Sequence, residues 1–275
     1  MNQQEQNHLF NVDNLLLVRE VTTRQPLGLA IDIDGTISEI APTPDEATVT
    51  EESRKYLATL AQQLSLVVAI SGRPAAEARA MIGLEGILYL GNHGLERWDK
   101  DCVKVLPGTE RFKQVIAKCL GELAMQLNVQ GVSVENKGIS AAIHFRNAKR
   151  PDQARQAIIR AISKSGTAAG LKVTEGKMVI ELRPAVEANK GIAIKALVEE
   201  YGLAGLIYAG DDLTDIDAFV ALRELRESGR ISTVSIAVLS GETPSEVIAN
   251  ADLVLCGVSE VEQFLRWLGQ EIASE

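Results

Sequence analysis

Short runs of consecutive apolar residues recur near both ends of the chain, and each is followed by a polar loop. Six such runs occur, at 28–31, 66–70, 87–90, 206–209, 234–238 and 253–255. Continuous rather than alternating hydrophobicity is typical of parallel strands that are buried on both faces. Helical patterns lie between the runs, so the sequence predicts a doubly wound α/β sheet.

Capping residues and helical spacing place the helices of this pattern. Thr50 is a predicted N-cap, and Pro74 is suited to the first position of another helix. The apolar spacing over 190–201 predicts a third helix. Ser259 with Glu262 three residues later predicts a capping box at the start of the last helix.

The middle of the chain has a different pattern, in which apolar and polar residues alternate as in half-exposed antiparallel strands. Two helices and two strand pairs are predicted there, at 109–127, 132–136, 140–146, 151–163, 172–174 and 178–182. This order predicts an α+β cap domain inserted into a Rossmann-like core. We place the core domain at 1–107 and 185–275, and the cap domain at 108–184.

The net charge limits the classes of partner that the protein is expected to bind. The chain has 28 lysines and arginines against 37 aspartates and glutamates, a formal net charge of −9. A nucleic-acid or anionic-membrane surface needs a broad basic footprint, so we expect neither as a partner. An anionic small molecule is still compatible, because a local basic pocket can form on an acidic protein.

The cysteines and the lengths of the apolar runs indicate the compartment. Cys102, Cys119 and Cys256 are far apart and form no CxxC pair, so we expect buried free thiols in a reducing compartment. The apolar runs are shorter than the roughly 18 residues that span a bilayer, and the segment 15–18 is too short for a signal-peptide core. We expect a soluble cytoplasmic protein, and a monomer is compatible with the sequence.

Candidate chemistry lies in polar clusters that follow predicted strands or begin the next helix. Loops at the carboxyl ends of parallel strands meet at one edge of the sheet, where ligands bind. The four clusters are Asp32 with Asp34, Ser71, Lys190, and Asp211 with Asp212 and Asp215.

These residue types together favour phosphoryl transfer. Carboxylate oxygens suit Mg²⁺, which usually keeps several water ligands and also coordinates a substrate phosphate. Mg²⁺ and Lys190 cancel the repulsion between a carboxylate nucleophile and the phosphate, and Ser71 adds a neutral hydrogen bond. Our hypothesis is that Asp32 attacks phosphorus and forms an aspartyl-phosphate. Asp34 protonates the leaving oxygen and then deprotonates the hydrolytic water.

The four clusters also resemble a known superfamily. Asp32-x-Asp34-Gly35-Thr36, Ser71-Gly72-Arg73, Lys190 and Gly210-Asp211-Asp212-x-Thr214-Asp215 are similar, in the same order, to the motifs of the haloacid-dehalogenase superfamily of phosphatases. The predicted insert lies between the second and third motifs, as in superfamily members with an α/β cap.

Further segments narrow the resemblance to the trehalose-6-phosphate phosphatase family. They lie at 44–47, 91–96, 134–137, 144–146 and 176–184, and with the core motifs they cover most of the chain from Leu29 to Phe219. The resemblance implies Mg²⁺-dependent hydrolysis of trehalose 6-phosphate, a phosphorylated disaccharide, in trehalose biosynthesis. The core motifs alone specify only the superfamily.

The resemblance also implies which residues bind the metal and the substrate. It implies Mg²⁺ bound by Asp32, the backbone carbonyl of Asp34 and Asp211, with Asp212 and Asp215 close behind. It implies a cap that closes over the sugar. The substrate-binding candidates are Arg73, Asn92, His93, Glu135, Lys137, Arg146, Lys177 and Glu181.

Several alternatives stay open at this point. The substrate is alternatively another sugar phosphate, of the sucrose-phosphate or glucosylglycerol-phosphate type, or the protein binds phosphosugars without catalysis. The charged residues of the predicted cap strands are alternatively ordinary cross-strand pairs. His93 is alternatively a structural histidine, and His144 points to either face of its strand.

Overall fold

The computed structural model describes residues 10–165, 170–176, 178–241 and 243–274. Contacts between Cα atoms divide the chain into two compact units. The first contains the residues up to Lys104 and those from Ala188 onward, and the second extends from Val105 to Glu187.

The helices and strands alternate in both terminal parts of the chain. In chain order the strands are β1 (Leu27–Ile31), β2 (Leu66–Ile70), β3 (Leu88–Gly91), β4 (Glu96–Asp99), β5 (Cys102–Val105), β6 (Ser133–Asn136), β7 (Ala141–His144), β8 (Leu171–Gly176), β9 (Val179–Pro184), β10 (Gly205–Gly210), β11 (Ser232–Leu239) and β12 (Leu253–Cys256). The α-helices are α1 (Val12–Thr22), α2 (Glu51–Gln63), α3 (Ala75–Ile82), α4 (Phe112–Ala124), α5 (Pro151–Lys164), α6 (Lys190–Tyr201), α7 (Leu213–Glu227), α8 (Ser245–Asn250) and α9 (Gly257–Ser274).

The first unit is built on an eight-stranded sheet with the order β12-β11-β10-β1-β2-β3-β4-β5. The strands from β12 to β3 are parallel, and β4 pairs antiparallel with β3. Apolar side chains of α1, α2, α3 and α9 pack in one core, and those of α6, α7 and α8 pack in another. Helices therefore cover both faces, which confirms the predicted doubly wound α/β fold.

The second unit has a four-stranded antiparallel sheet with the order β6-β7-β9-β8. Ile143 and Ile180 lie opposite each other on one face and share a core with the apolar side chains of α4 and α5. The predicted helices and hairpins of this segment are all present, with ends that differ by one to a few residues.

Two predicted helix starts differ in the structure. Pro74 is the N-cap of α3 rather than its first residue. The capping box is wrong, because α9 begins at Gly257 and already contains Ser259. The carboxylate of Glu262 instead accepts a 2.6 Å hydrogen bond from Thr50 Oγ1. Thr50 is the N-cap of α2, as predicted.

The cysteine prediction is wrong in part. Cys119 is a buried free thiol, but Cys102 and Cys256 are exposed free thiols. Cys102 lies in edge strand β5 and Cys256 at the end of β12, where the chain leaves the sheet. Among the described residues, no helix is both long and apolar enough to cross a bilayer. The cytoplasmic location stays a prediction.

Candidate active site

Parallel pairing brings the first and last polar clusters to the same edge of the sheet. Strands β1 and β10 are neighbours, with Ile31 paired to Ala209. Asp32 follows β1 directly, and its backbone N–H donates to the Ala209 carbonyl at 2.9 Å. Asp211 follows β10 in the same way. Because both strands end at this edge, residues far apart in sequence become neighbours.

Lys190 is a buried cation between two of these carboxylates. It is the first residue of α6, whose N-cap Asn189 accepts from the Ile192 N–H at 2.8 Å. The Lys190 Nζ lies 2.7 Å from Asp32 Oδ1 and 2.6 Å from Asp215 Oδ1, and the residue is only 2% exposed. The structure therefore brings Lys190 together with Asp32 of the first predicted cluster and with Asp215 of the fourth.

Asp215 is held by four donors from the protein. Its Oδ1 accepts from Lys190 Nζ and from the Tyr208 hydroxyl, each at 2.6 Å. Its Oδ2 accepts from the backbone N–H groups of Asp211 and Asp212 at 3.1 and 2.9 Å. Each oxygen of Asp215 therefore accepts two hydrogen bonds. These bonds fix the positions of Lys190 and of the loop that contains Asp211.

Burial and like charges act strongly on this cluster. Burial raises the pKa of Asp32 well above its ordinary value; Lys190 opposes the shift, and the carboxylates of Asp215 and Asp211 add to it. For Lys190 burial alone lowers the pKa, but Asp215 and Asp32 outweigh burial and hold the pKa well above its ordinary value. The cluster therefore keeps a charged lysine beside an excess of carboxylates.

The carboxylate oxygens fit a hard divalent cation. Asp32, Asp211 and Asp215 are buried, and one oxygen of each lies within 4.8 Å of the others. Gly35 makes room for Asp211, since a Cβ at Gly35 would lie 2.3 Å from Asp211 Oδ2. All-oxygen donors with excess negative charge are the environment that Mg²⁺ prefers. Asp212 is half-buried beside this cluster.

Asp34 is bound by an arginine rather than by the lysine. Arg73 donates from Nε and Nη2 to the two carboxylate oxygens of Asp34, each at 2.8 Å. The same Nη2 donates to the Pro44 carbonyl at 3.0 Å. This planar two-bond contact fixes the direction of the Asp34 side chain. Arg73, predicted to bind substrate, therefore contacts the predicted acid.

The Ser71 loop is joined to the loop that contains Asn92 and His93. The backbone N–H groups of Asn92 and His93 donate to the carbonyls of Arg73 and Ser71 at 2.8 and 2.9 Å. The His93 imidazole lies on the backbone of Gly72, since a Cβ there would be 2.8 Å from His93 Cε1. Ser71 is buried, and its Oγ accepts from the Arg73 N–H at 3.1 Å. All these residues lie at the carboxyl edge of β2 and β3.

The second unit brings together part of the predicted sugar-binding set. Lys137 Nζ lies 3.9 Å from Glu135 Oε2 and 3.6 Å from Glu181 Oε1. Glu135 Oε2 also lies 2.9 Å from His144 Nε2. Arg146 is exposed after the end of β7. Lys177 lies outside the described residues.

Sequence reasoning missed two side chains at these sites. Tyr208 stands in an apolar buried strand and has the appearance of a core residue, but its hydroxyl contacts Asp215. The one sequence feature that could have identified Tyr208 is its position two residues before Gly210-Asp211. His144 was assigned to neither face of its strand, yet it contacts Glu135. Only the register between β6 and β7 shows that His144 lies beside Glu135.

Comparisons with known proteins agree with the resemblance drawn from the motifs. A trehalose-phosphate phosphatase of Mycobacterium marinum is 38% identical over 206 residues, which cover 70% of this chain and 50% of that protein. An uncharacterized glycosyl hydrolase of Mycobacterium tuberculosis is 34% identical over 269 residues, 90% of this chain and 19% of that protein. The chain thus spans about half of the first relative's length, and less of the second.

The fold and the family profile extend the comparison to most of the chain. The C-terminal domain of the C. albicans trehalose-6-phosphate phosphatase has a TM-score of 0.76 at 22% identity, covering 93% of this chain and 96% of that domain. This likeness shows a common fold. The profile of the trehalose-phosphatase family matches residues 30–254. The protein therefore belongs to the trehalose-phosphatase family.

Proposed function

We propose that this chain hydrolyses trehalose 6-phosphate to trehalose and phosphate, with Mg²⁺ as cofactor. The observation that carries the proposal is the contact of Lys190 Nζ with both Asp32 and Asp215, beside Asp211. A buried ammonium next to a carboxylate nucleophile and metal-binding oxygens suits the charge neutralisation of phosphoryl transfer. Family membership supports the choice of substrate.

In this proposal the side chains of Asp32 and Asp211 and the backbone carbonyl of Asp34 would hold Mg²⁺. Asp215 orients its neighbours rather than binding the cation directly, since its oxygens already accept from protein donors. Asp212 lies beside these residues, next to Asp211 in the chain. When bound, Mg²⁺ neutralises charge on the phosphoryl oxygens.

In the first step a carboxylate oxygen of Asp32 attacks phosphorus and the bond between phosphorus and the sugar oxygen breaks. Asp34 gives its proton to the departing sugar oxygen. Both carboxylate oxygens of Asp34 accept from Arg73 in the structure, so at least one of these hydrogen bonds has to open first. Arg73 therefore controls the direction of Asp34.

In the second step water opens the aspartyl-phosphate. Asp34 takes a proton from the attacking water, the water oxygen bonds to phosphorus, and the Asp32 carboxylate is released together with phosphate. Lys190 stays charged and balances the negative charge on Asp32 before and after the transfer. The buried Ser71 offers its hydroxyl to a phosphoryl oxygen.

We assign sugar recognition to the charged residues that the second unit brings together. The Lys137 ammonium lies within 4 Å of the carboxylates of both Glu135 and Glu181, and the Lys137 side chain is nearly buried. Sugar hydroxyls both donate and accept, so carboxylates and ammonium groups bind them through charge-assisted hydrogen bonds. Lys177 and Arg146 stay predicted members of this group.

A substrate panel tests the proposed function. The purified chain with Mg²⁺ is expected to release phosphate and trehalose from trehalose 6-phosphate. We expect a kcat/KM at least about tenfold above that for sucrose 6-phosphate, glucosylglycerol phosphate and glucose 6-phosphate, because the family match supports trehalose 6-phosphate as the substrate. A chelator is expected to stop the release, and added Mg²⁺ to restore it. Faster hydrolysis of another sugar phosphate would contradict the substrate.

Gly35→Ala tests the metal-binding role of Asp211. Gly35 has a φ of +86°, and the added Cβ would lie 2.3 Å from Asp211 Oδ2. The variant is therefore expected to lose the calorimetric heat of Mg²⁺ binding and to be about 100-fold slower, as expected for a displaced reactive geometry.

Gly83→Ala is the matched control. Gly83 has a φ of +68° and open space around its Cβ position. The same backbone strain costs stability there, about 1–2 kcal/mol, but leaves Mg²⁺ binding unchanged. Equal Mg²⁺ affinity in Gly35→Ala and wild type would contradict the assignment of Asp211.

A further inference from the structure

The sheet of the second unit has one face packed in the core and one charged face. Alternation along β7 and β9 sends Ile143 and Ile180 into the core with the helices. The intervening residues lie on the opposite face, where the register sets Glu135 opposite Ala142, and Ala142 opposite Glu181. The two carboxylates thus occupy one row across three strands, with only a methyl group between them.

His144 lies on this charged face, next to the row. It stands two residues after Ala142 on β7 and opposite Ser133 on β6, so its side chain points to the same face as Glu135. Its Nε2 lies 2.9 Å from Glu135 Oε2. The two side chains are 29% and 25% exposed, so the pair is partly shielded from water.

The imidazole of His144 and the ammonium of Lys137 act differently on Glu135. Lys137 Nζ lies 3.9 Å from Glu135 Oε2 and 3.6 Å from Glu181 Oε1, beyond hydrogen-bond length in both cases. His144 is at hydrogen-bond length from the same Glu135 oxygen. An ionised carboxylate only accepts, so Nε2 carries the proton in this contact. A short, rigid side chain on a strand is well suited to fix the carboxylate direction.

We propose that His144 is a positioning residue of the sugar site, which holds the Glu135 carboxylate in the direction that sugar hydroxyls require. The inference rests on the proposed function. His144 acts through Glu135, so it is needed for sugar affinity and not for the phosphoryl chemistry. Ordering a charged side chain in advance lowers the entropy lost on binding, which corresponds to roughly a 3- to 10-fold change in affinity.

Three variants test this role with two substrates. His144→Ala removes the donor, and His144→Gln keeps an N–H close to the position of Nε2. Arg155→Gln is the matched control, because it breaks a two-bond ion pair with Glu175 in the same unit. The kcat and KM are measured with trehalose 6-phosphate and with p-nitrophenyl phosphate, which has no sugar, and a thermal melt verifies folding.

We expect KM for trehalose 6-phosphate to rise roughly 3- to 10-fold in His144→Ala, with kcat and the p-nitrophenyl phosphate reaction within about twofold of wild type. His144→Gln should recover most of the KM, and Arg155→Gln should resemble wild type. An unchanged KM in His144→Ala, or an equal loss on both substrates, overturns the positioning role while wild type still hydrolyses the sugar ester. A wild-type chain inactive on trehalose 6-phosphate instead overturns the proposed function, and this assignment with it.

Discussion

Asp32→Asn is expected to lower kcat by at least ~10⁴-fold, the size of loss typical of a removed nucleophile. A carboxamide is too weak a nucleophile to form the proposed acyl phosphate. The substitution keeps the shape of the side chain, and Asp215 still accepts from Lys190. Because Lys190 keeps the Asp215 carboxylate as its partner, a neutral amide at position 32 does not leave the buried ammonium uncompensated. Phosphate release and a thermal melt measure both effects.

Asp101→Asn is the control for this substitution. Asp101 is exposed in the turn between β4 and β5, with a φ of +65° that asparagine also tolerates. Its activity and melting temperature should equal those of wild type. Turnover by Asp32→Asn above about one hundredth of the wild-type rate would exclude Asp32 as the nucleophile.

Lys190→Met is expected to lower the free energy of unfolding by about 3–5 kcal/mol, the cost of leaving a buried charge without its partner. The substitution leaves Asp32 and Asp215 facing each other without the ammonium that both contact. Methionine fills most of the lysine volume, so lost charge rather than lost packing dominates. Urea unfolding without Mg²⁺ measures the change, and phosphatase activity should be lost as well.

Lys195→Met is the matched control on the same helix. Lys195 also pairs with a carboxylate, Glu224, but both side chains are about half exposed. An exposed pair contributes little, so its loss should change the free energy of unfolding by at most ~1 kcal/mol. The double variant Lys190→Met with Asp32→Asn should regain part of the stability, because one uncompensated carboxylate is removed. Similar losses for Lys190→Met and Lys195→Met would contradict the buried network.

Local patterns were sufficient for much of the fold. The apolar run over 66–70 is strand β2, and the helical pattern over 190–201 is α6, with the predicted ends in both cases. Buried parallel strands require continuous apolar residues, and amphipathic helices require a periodic stripe, so both leave a mark within a few residues. The mixed segments that form β4 and β5, and the helices α1 and α8, carry no such mark and were not predicted.

Interactions over long sequence distances account for the errors. The predicted capping box used Ser259 and Glu262 as a local pair, but Glu262 is bound by Thr50, 212 positions away. The cysteines at 102 and 256 were expected to be buried, and their exposure follows from their places at the ends and edge of the sheet. A local window contains neither kind of information.

The pattern of apolar runs by itself determined the class of fold, and the motifs with their order determined the family resemblance and the set of candidate residues. Only the tertiary structure decided their partners: Lys190 with Asp32 and Asp215, Arg73 with Asp34, and His144 with Glu135. The physical reason is that strand order, register and helix packing set these distances. Chain spacing specifies which residues are available, whereas the assembled sheet specifies which carboxylate each cation contacts.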